Sequence, residues 1–228
     1  MSIIKISPKT KNLFLNYSLM LGAYFLFFFL TGILNSFLPN LDLSKYQQTE
    51  LFNLMDESPF TFIFMAVVIA PVLEESMFRT LIKPSFTEIY IFICAILAFI
   101  SLGFIPLEAH ALLKFGIIIL SGVIIFLFLQ SLKPSTWFRK FRIFLHRNYR
   151  MVWWLSAIIF GVVHIWNYVE GWQFDLILFL LIFPRIIAGY FFGKIKLENH
   201  SLLWPIAMHA MNNGIVAFFM LPKLFGIY

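Results

Sequence analysis

The sequence predicts an all-α fold, a polytopic transmembrane helix bundle of about seven spans with the N-terminus inside and the C-terminus outside. Composition is the first reason: of 228 residues, 61% are hydrophobic and 12% charged, 30 are Phe, and the mean hydropathy is +0.88. These values lie far outside the soluble range. Length is the second reason, because the apolar residues gather into stretches close to the roughly 20 residues that cross a hydrocarbon core. Charge is the third, because the basic residues lie between those stretches and mostly on alternate sides.

Residues 12–34 form the first stretch, after Lys5, Lys9 and Lys11. It is too long for a signal-peptide core and ends without a small-x-small cleavage site, so it reads as an uncleaved first span. Residues 59–82 form the second and hold two adjacent carboxylates, Glu74 and Glu75, with the cation Arg79. Residues 88–105 and 109–132 meet around Pro106 and Glu108 in a tight hairpin. The spans 151–168, 173–193 and 201–220 complete the set. No soluble domain, repeat or low-complexity linker fits anywhere, so residues 1–228 read as a single membrane-embedded domain.

With the N-terminus inside, the inner segments collect Lys5, Lys9, Lys11, Lys83, Lys133, Arg139, Lys140, Arg142, Arg147, Arg150, Lys194 and Lys196. Only Lys45 and Lys223 fall outside, together with Asp42, Glu50, Asp56, Glu57, Glu108 and Glu170. The net charge of +6 thus reflects membrane topology, and no nucleic-acid partner is expected, since a nucleic-acid binder gathers its cations into one solvated surface. The longest inner loop, 133–150, mixes six cations with Trp137, Phe138, Phe141 and Phe144. It reads either as an amphipathic helix on an anionic leaflet or as an ordinary positive-inside loop.

Other positions have structural readings. The single Cys94 lies in an apolar run, which rules out a disulfide within the chain and argues against a thiol nucleophile. Gly189 and Gly193 make a small-xxx-small pair suited to close helix packing. Lys114 is expected to snorkel and Arg185 to find an inward partner. Trp153, Trp154, Trp172 and Trp204 fit interfacial anchoring, and His110, His146 and His200 fall at span ends or in loops.

The informative residues are the polar ones at membrane depth. An ionised group there costs at least about 2.5–3.5 kcal/mol, so function or tight pairing must hold it. On a helix Glu75 and Arg79 stand at i,i+4 and can pair, whereas Glu74 points about 100° away, leaving it without that fixed cation. His164 follows Phe160 at i,i+4, and Asn213 follows His209 at the same spacing. Three spans thus each present polar groups on one face, and lipid disfavours all three, so they are expected to face one water-reachable cavity. Counted at about 1.5 Å per residue from the inner side, Glu74 and His209 lie about 13 and 12 Å deep, and His164 roughly 8 Å deeper.

A carboxylate without a fixed cation can act as general base on water while a nearby imidazole orients that water. A second imidazole and a carboxamide can donate to the oxyanion formed when water adds to a carbonyl. That set suffices for peptide hydrolysis without a covalent intermediate. Glu74, His164 and His209 also match the ligand types of many catalytic zinc sites, although His-Glu-x-x-His is absent and a zinc-bound Glu74 would require another base. Metal-free and zinc-dependent chemistry both stay open.

At these residues the chain resembles the CPBP family of intramembrane proteases, named for CAAX proteases and bacteriocin-processing enzymes and also called Abi. The family's three motifs, Glu-Glu-x-x-x-Arg, Phe-x-x-x-His and His-x-x-x-Asn, stand here in order as Glu74-Glu75…Arg79, Phe160…His164 and His209…Asn213. The likeness extends to Ser201–Ile206 and to Arg185…Gly189…Gly193, and places a catalytic core over 59–85 and 150–220. It implies a multi-helix membrane fold whose cavity opens to the cytosol, and endopeptidase action on a peptide or lipid-anchored protein. By motif, Glu74 would be the base, Glu75 and Arg79 its support, His164 the water-orienting group, and His209 with Asn213 the oxyanion stabilisers. Phe160 would pack the site wall. Two departures stand out: about 90 residues separate Glu74 from His164, because the 88–132 hairpin intervenes, and Thr80 occupies a position where many members have Gly.

The expected protein is therefore an intramembrane, glutamate-dependent or metal-dependent endopeptidase of a bacterial cytoplasmic membrane, with the lipid bilayer as its other partner. Competing expectations are a non-proteolytic bacteriocin-immunity protein that binds a membrane-active peptide, and a small proton-coupled transporter whose Glu and His relay protons.

Overall fold

A computed structural model of the chain describes residues 7–38, 41–104, 111–171 and 173–224. Regular structure among the described residues is helical throughout, with no strand. In chain order it comprises α1 (Pro8–Phe37), α2 (Thr49–Glu57), α3 (Pro59–Phe64), a π-helical turn (Met65–Ile69) and α4 (Ala70–Phe78). There follow α5 (Phe86–Phe104), α6 (Ala111–Ser131), α7 (Thr136–Arg147), α8 (Tyr149–Val163), α9 (Leu176–Asn199) and α10 (Leu203–Leu224). Each stretch expected to span overlaps helix among the described residues, 59–82 being broken by the π-turn and its helix ending at Phe78. Among the described residues, four are long and apolar enough to cross a membrane: Pro8–Phe37, Pro59–Phe78, Tyr149–Asn167 and Leu176–Asn199. A fifth would be Gly116–Ser131 taken together with Thr136–Arg147, from which it is bent by 103°. α10 carries His209, Asn212 and Asn213 at its middle. Lys5, Pro106, Glu108, His110 and Trp172, and the side chains of Glu50, Lys114 and Lys223, lie outside the described residues.

The chain divides into two compact units, Met1–Pro71 with Trp154–Tyr228, and Val72–Trp153. In the first, α1 packs along α9, α9 along α10, and α10 against the π-turn. Its polarity runs inside out. Phe25, Phe28, Phe29 and Phe37 of α1 are exposed, while Asn16 is wholly buried and Lys196, Asn199 and His209 nearly so. Exposed phenylalanines beside buried amides suit a hydrocarbon solvent, in which polar groups must be satisfied internally.

Those amides join α1 to α9. Asn16 Nδ2 donates to Glu198 at 2.8 Å and Asn12 Nδ2 to Asn199 at 3.0 Å. Lys194 Nζ donates to both Asn16 Oδ1 (2.7 Å) and Glu198 Oε1 (2.6 Å). The pairing explains why α9 continues to Asn199, six residues beyond the expected end of its span: Lys194 and Glu198 form an i,i+4 ion pair on a turn that α1 covers. Arg185 has the inward partner expected of it, donating to Tyr168 Oη at 3.0 Å and to the Leu181 carbonyl at 3.1 Å. At the other end of α9, Asp175 caps the helix by accepting from the Leu178 amide (2.8 Å), and it also takes Lys45 Nζ (2.9 Å) and Tyr46 Oη (2.7 Å).

Two features were not expected. α2 lies in the connector after the first span, where Met55 is fully buried against Phe62 and Ala217; its signal was the spacing of Leu51, Phe52 and Met55 on one face. Gly161 is the packing glycine between α8 and α9: a Cβ there would overlap Ile186 Cγ1 and lie 3.2 Å from the Ile186 backbone nitrogen. Gly189 and Gly193 are also buried, as a packing role requires.

In the second unit α5 packs along α6. A capping box opens α5, with Ser85 N donating to Glu88 Oε2 at 2.8 Å and Glu88 N to Ser85 Oγ at 3.1 Å. The segment left as either helix or loop is the helix α7, whose N-cap Ser135 accepts from Phe138 N.

Gly161→Ala is expected to lower stability by about 1–3 kcal/mol through overpacking, read as a drop in thermal midpoint of the detergent-solubilised protein. Asp175 gives a pH-dependent prediction. The Leu178 amide, then Lys45 and Tyr46, lower its carboxyl pKa from the ordinary 3.8 to about 2. A lowered folded pKa contributes stability above the unfolded value that disappears as pH falls through the folded one. Asp175→Asn should therefore melt below the parent at neutral pH, with the gap narrowing from 3.8 downward and closing near 2.

Candidate active site

The two carboxylates sit on α4 and Arg79 directly after its end; Glu75 and Arg79 are fully buried and pair as their spacing predicted, Arg79 Nε to Glu75 Oε2 at 3.0 Å. The bond stays within one helical turn, so it needs no other element to form. Glu74 is half-buried and lies about 100° around the helix from Glu75. It is not isolated, however, because the Arg79 charge acts on Glu74 as well as on Glu75. A single guanidinium thus serves two carboxylates, and the sequence had left one of them without a cation. Thr80 is fully buried and returns its hydroxyl to the Ser76 carbonyl at 2.7 Å.

In the other unit, α8 ends at Val163 and His164 opens a 3₁₀ turn, Ile165 to Asn167 completing it. Phe160 and His164 were expected on one continuous helix face, and α8 ends between them. The Phe160 carbonyl, one turn back along α8, meets His164 Nδ1 at 2.6 Å. A carbonyl can only accept, so Nδ1 carries the hydrogen, and in the neutral ring Nε2 presents a lone pair.

The Phe160 ring joins the two histidines. Its centroid lies 4.8 Å from that of His164 and 5.7 Å from that of His209, the latter edge to face. Phe192 of α9 stacks on the other side of His209 at 4.8 Å and 21°. The 8 Å difference in depth counted along the helices therefore does not separate His164 from His209, which share one ring. Phe192 was not legible as a site residue, being one Phe among 30.

Asn213 has an unexpected partner. The π-turn carries the Ala70 amide to the Met65 carbonyl, and Pro71 has no amide to give. The Ala66 carbonyl is thereby left without a donor from its own helix, and Asn213 Nδ2 supplies one at 2.8 Å. In a regular α-helix Pro71 would free the carbonyl of Val67; the wide turn shifts the need by one residue. A carboxamide has a second N–H, so this bond leaves Asn213 one further hydrogen to donate.

The site residues thus form two groups: Glu74, Glu75 and Arg79 in one unit, and His164, His209 and Asn213 in the other. Within neither unit do the described residues gather three or more of His, Cys, Asp and Glu closely enough for a metal.

Residues 56–215 match the family model described as type II CAAX prenyl endopeptidase Rce1-like. The chain belongs to this family. The match spans all three motifs and agrees with the CPBP resemblance. No curated protein and no solved structure gave a match. Family and apolar helices together make this an integral membrane protein of a protease family.

Arg79→Ala removes the cation that acts on both carboxylates and should cost about 3–5 kcal/mol, whereas Glu75→Ala leaves Glu74 beside Arg79 and should cost less, as measured by thermal unfolding in one detergent.

Proposed function

We propose that the protein is an intramembrane endopeptidase, akin to CAAX prenyl endopeptidases, that hydrolyses a peptide or lipid-anchored protein with water activated by Glu74. The observation that carries this reading is the division of labour on α4. Glu75 is spent in a fully buried pair with Arg79, while its neighbour Glu74 is half-buried. Glu74 takes one proton from water, and His164 Nε2 accepts the other hydrogen and orients the oxygen lone pair. Water then adds to the scissile carbonyl, and His209 with the second N–H of Asn213 donates to the oxyanion. Collapse expels the amine, which leaves with the proton held by Glu74. Glu75 and Arg79 support this carboxylate, and Phe160 and Phe192 fix the plane of His209.

In this reading residues 1–228 form one membrane domain in a bacterial cytoplasmic membrane, N-terminus inside, with the cleavage site reached from the cytosol. The family's name makes a prenylated C-terminal peptide the first substrate to try.

The test is cleavage of quenched peptides, prenylated and plain, by the purified chain. Glu74→Gln and His164→Ala should each lose about 10²–10⁴-fold in kcat with thermal midpoints unchanged. Asn213→Ala should lose activity and also melt earlier, since it strands the Ala66 carbonyl. Cutting that survives Glu74→Gln would sink the proposal, and loss on chelation would make Glu74, His164 and His209 zinc ligands instead.

A further inference from the structure

The strongest feature outside the site is α7. Lys133 to Arg150 carries six cations and no carboxylate. Along Thr136–Arg147 these residues divide by angle at about 100° per residue. Phe138, Arg142 and Leu145 form the face that packs inward: Phe138 lies 6.3 Å from Tyr90, Leu145 is buried, and Arg142 Nε donates to the Pro84 carbonyl at 3.0 Å. His146 Nε2 meets the same carbonyl at 2.8 Å. This fastening sets the helix rotation.

So oriented, α7 presents an apolar stripe with no protein over it. Trp137 is 63% and Phe144 51% exposed, and Trp137 stacks on Phe141 at 5.2 Å and 9°. Lys140 and Arg147 border the stripe on the side away from the packed face. Arg142, His146 and Arg147, with Ile143, line one concavity. Direction supplies an independent observation: α7 turns 103° from the apolar helix that precedes it. If that helix runs along the bilayer normal, α7 lies nearly in the membrane plane.

We propose that α7 is an interfacial helix that binds the anionic phospholipid surface, Trp137, Phe141 and Phe144 entering the headgroup–acyl boundary while Lys140 and Arg147 take lipid phosphates. An aromatic stripe beside a one-sign cationic border suits a surface that is apolar below and anionic above. An acidic protein partner would leave the aromatic stripe in water. The inference does not depend on proteolysis.

The test uses the full chain with Cys94, its single cysteine, replaced by Ala. Nitroxide labels are placed singly through Trp137→Cys, Phe144→Cys and Arg139→Cys, and each protein is reconstituted into vesicles of phosphatidylcholine alone or with added phosphatidylglycerol. Labels at 137 and 144 should be several-fold more accessible to oxygen than to a water-soluble nickel chelate, with the reverse at 139. Phosphatidylglycerol should increase the contrast, and Lys140→Gln with Arg147→Gln should abolish that increase. Nickel-accessible labels at 137 and 144 in both vesicle types would overturn the interfacial placement and leave the face to a soluble partner. Equal contrast with and without phosphatidylglycerol would overturn the preference for anionic lipid.

Discussion

Charge placed at hydrocarbon depth must find its partner inside the protein, because the solvent supplies none. The buried polar groups meet that constraint in different ways. Glu75 and Arg79 do so one turn apart. The buried Asn16 does so through the partly exposed Lys194 and Glu198 of another helix, so that satisfying it also fastens α1 to α9. Arg185 uses a tyrosine hydroxyl and a carbonyl of its own helix. Helix packing in the first unit therefore follows polar satisfaction as much as apolar fit, as expected where lipid tails are as apolar as the side chains they meet.

The site chemistry draws on irregular backbone. His164 owes its tautomer to the Phe160 carbonyl, which accepts from Nδ1 at the end of α8. Asn213 owes its anchor to the π-turn and to the missing amide of Pro71. In both cases a main-chain carbonyl is taken by a motif side chain and so orients it; at Ala66 that carbonyl is one the π-turn releases.

Much of this was legible in the sequence. The helical class, the place of each apolar helix and the Glu75–Arg79 pair follow from composition, length and i,i+4 spacing, because each depends on neighbours in the chain. The 3₁₀ turn at His164 and the Asn213–Ala66 bond were not legible, since they depend on where a helix stops and on which carbonyl is released. Gly161 was visible as a residue but not as a contact, because Ile186 lies 25 positions away and nothing local names it. The share of the Arg79 field reaching Glu74 was also missed, since ideal angles place the two carboxylates 100° apart and ignore the reach of a long side chain.

The locality of the Glu75–Arg79 bond bears on biogenesis. A nascent chain grows by about 5–20 residues per second, whereas a helical turn forms in well under a millisecond. These two opposite charges, one turn apart and 0% exposed in the finished fold, can neutralise each other before any later helix has been made. The segment, with Glu74, Glu75 and Arg79, then meets the insertion machinery with a net charge of −1 instead of three separate charges. A pair assembled from two distant helices would instead have to hold a bare charge in lipid until its partner was synthesised.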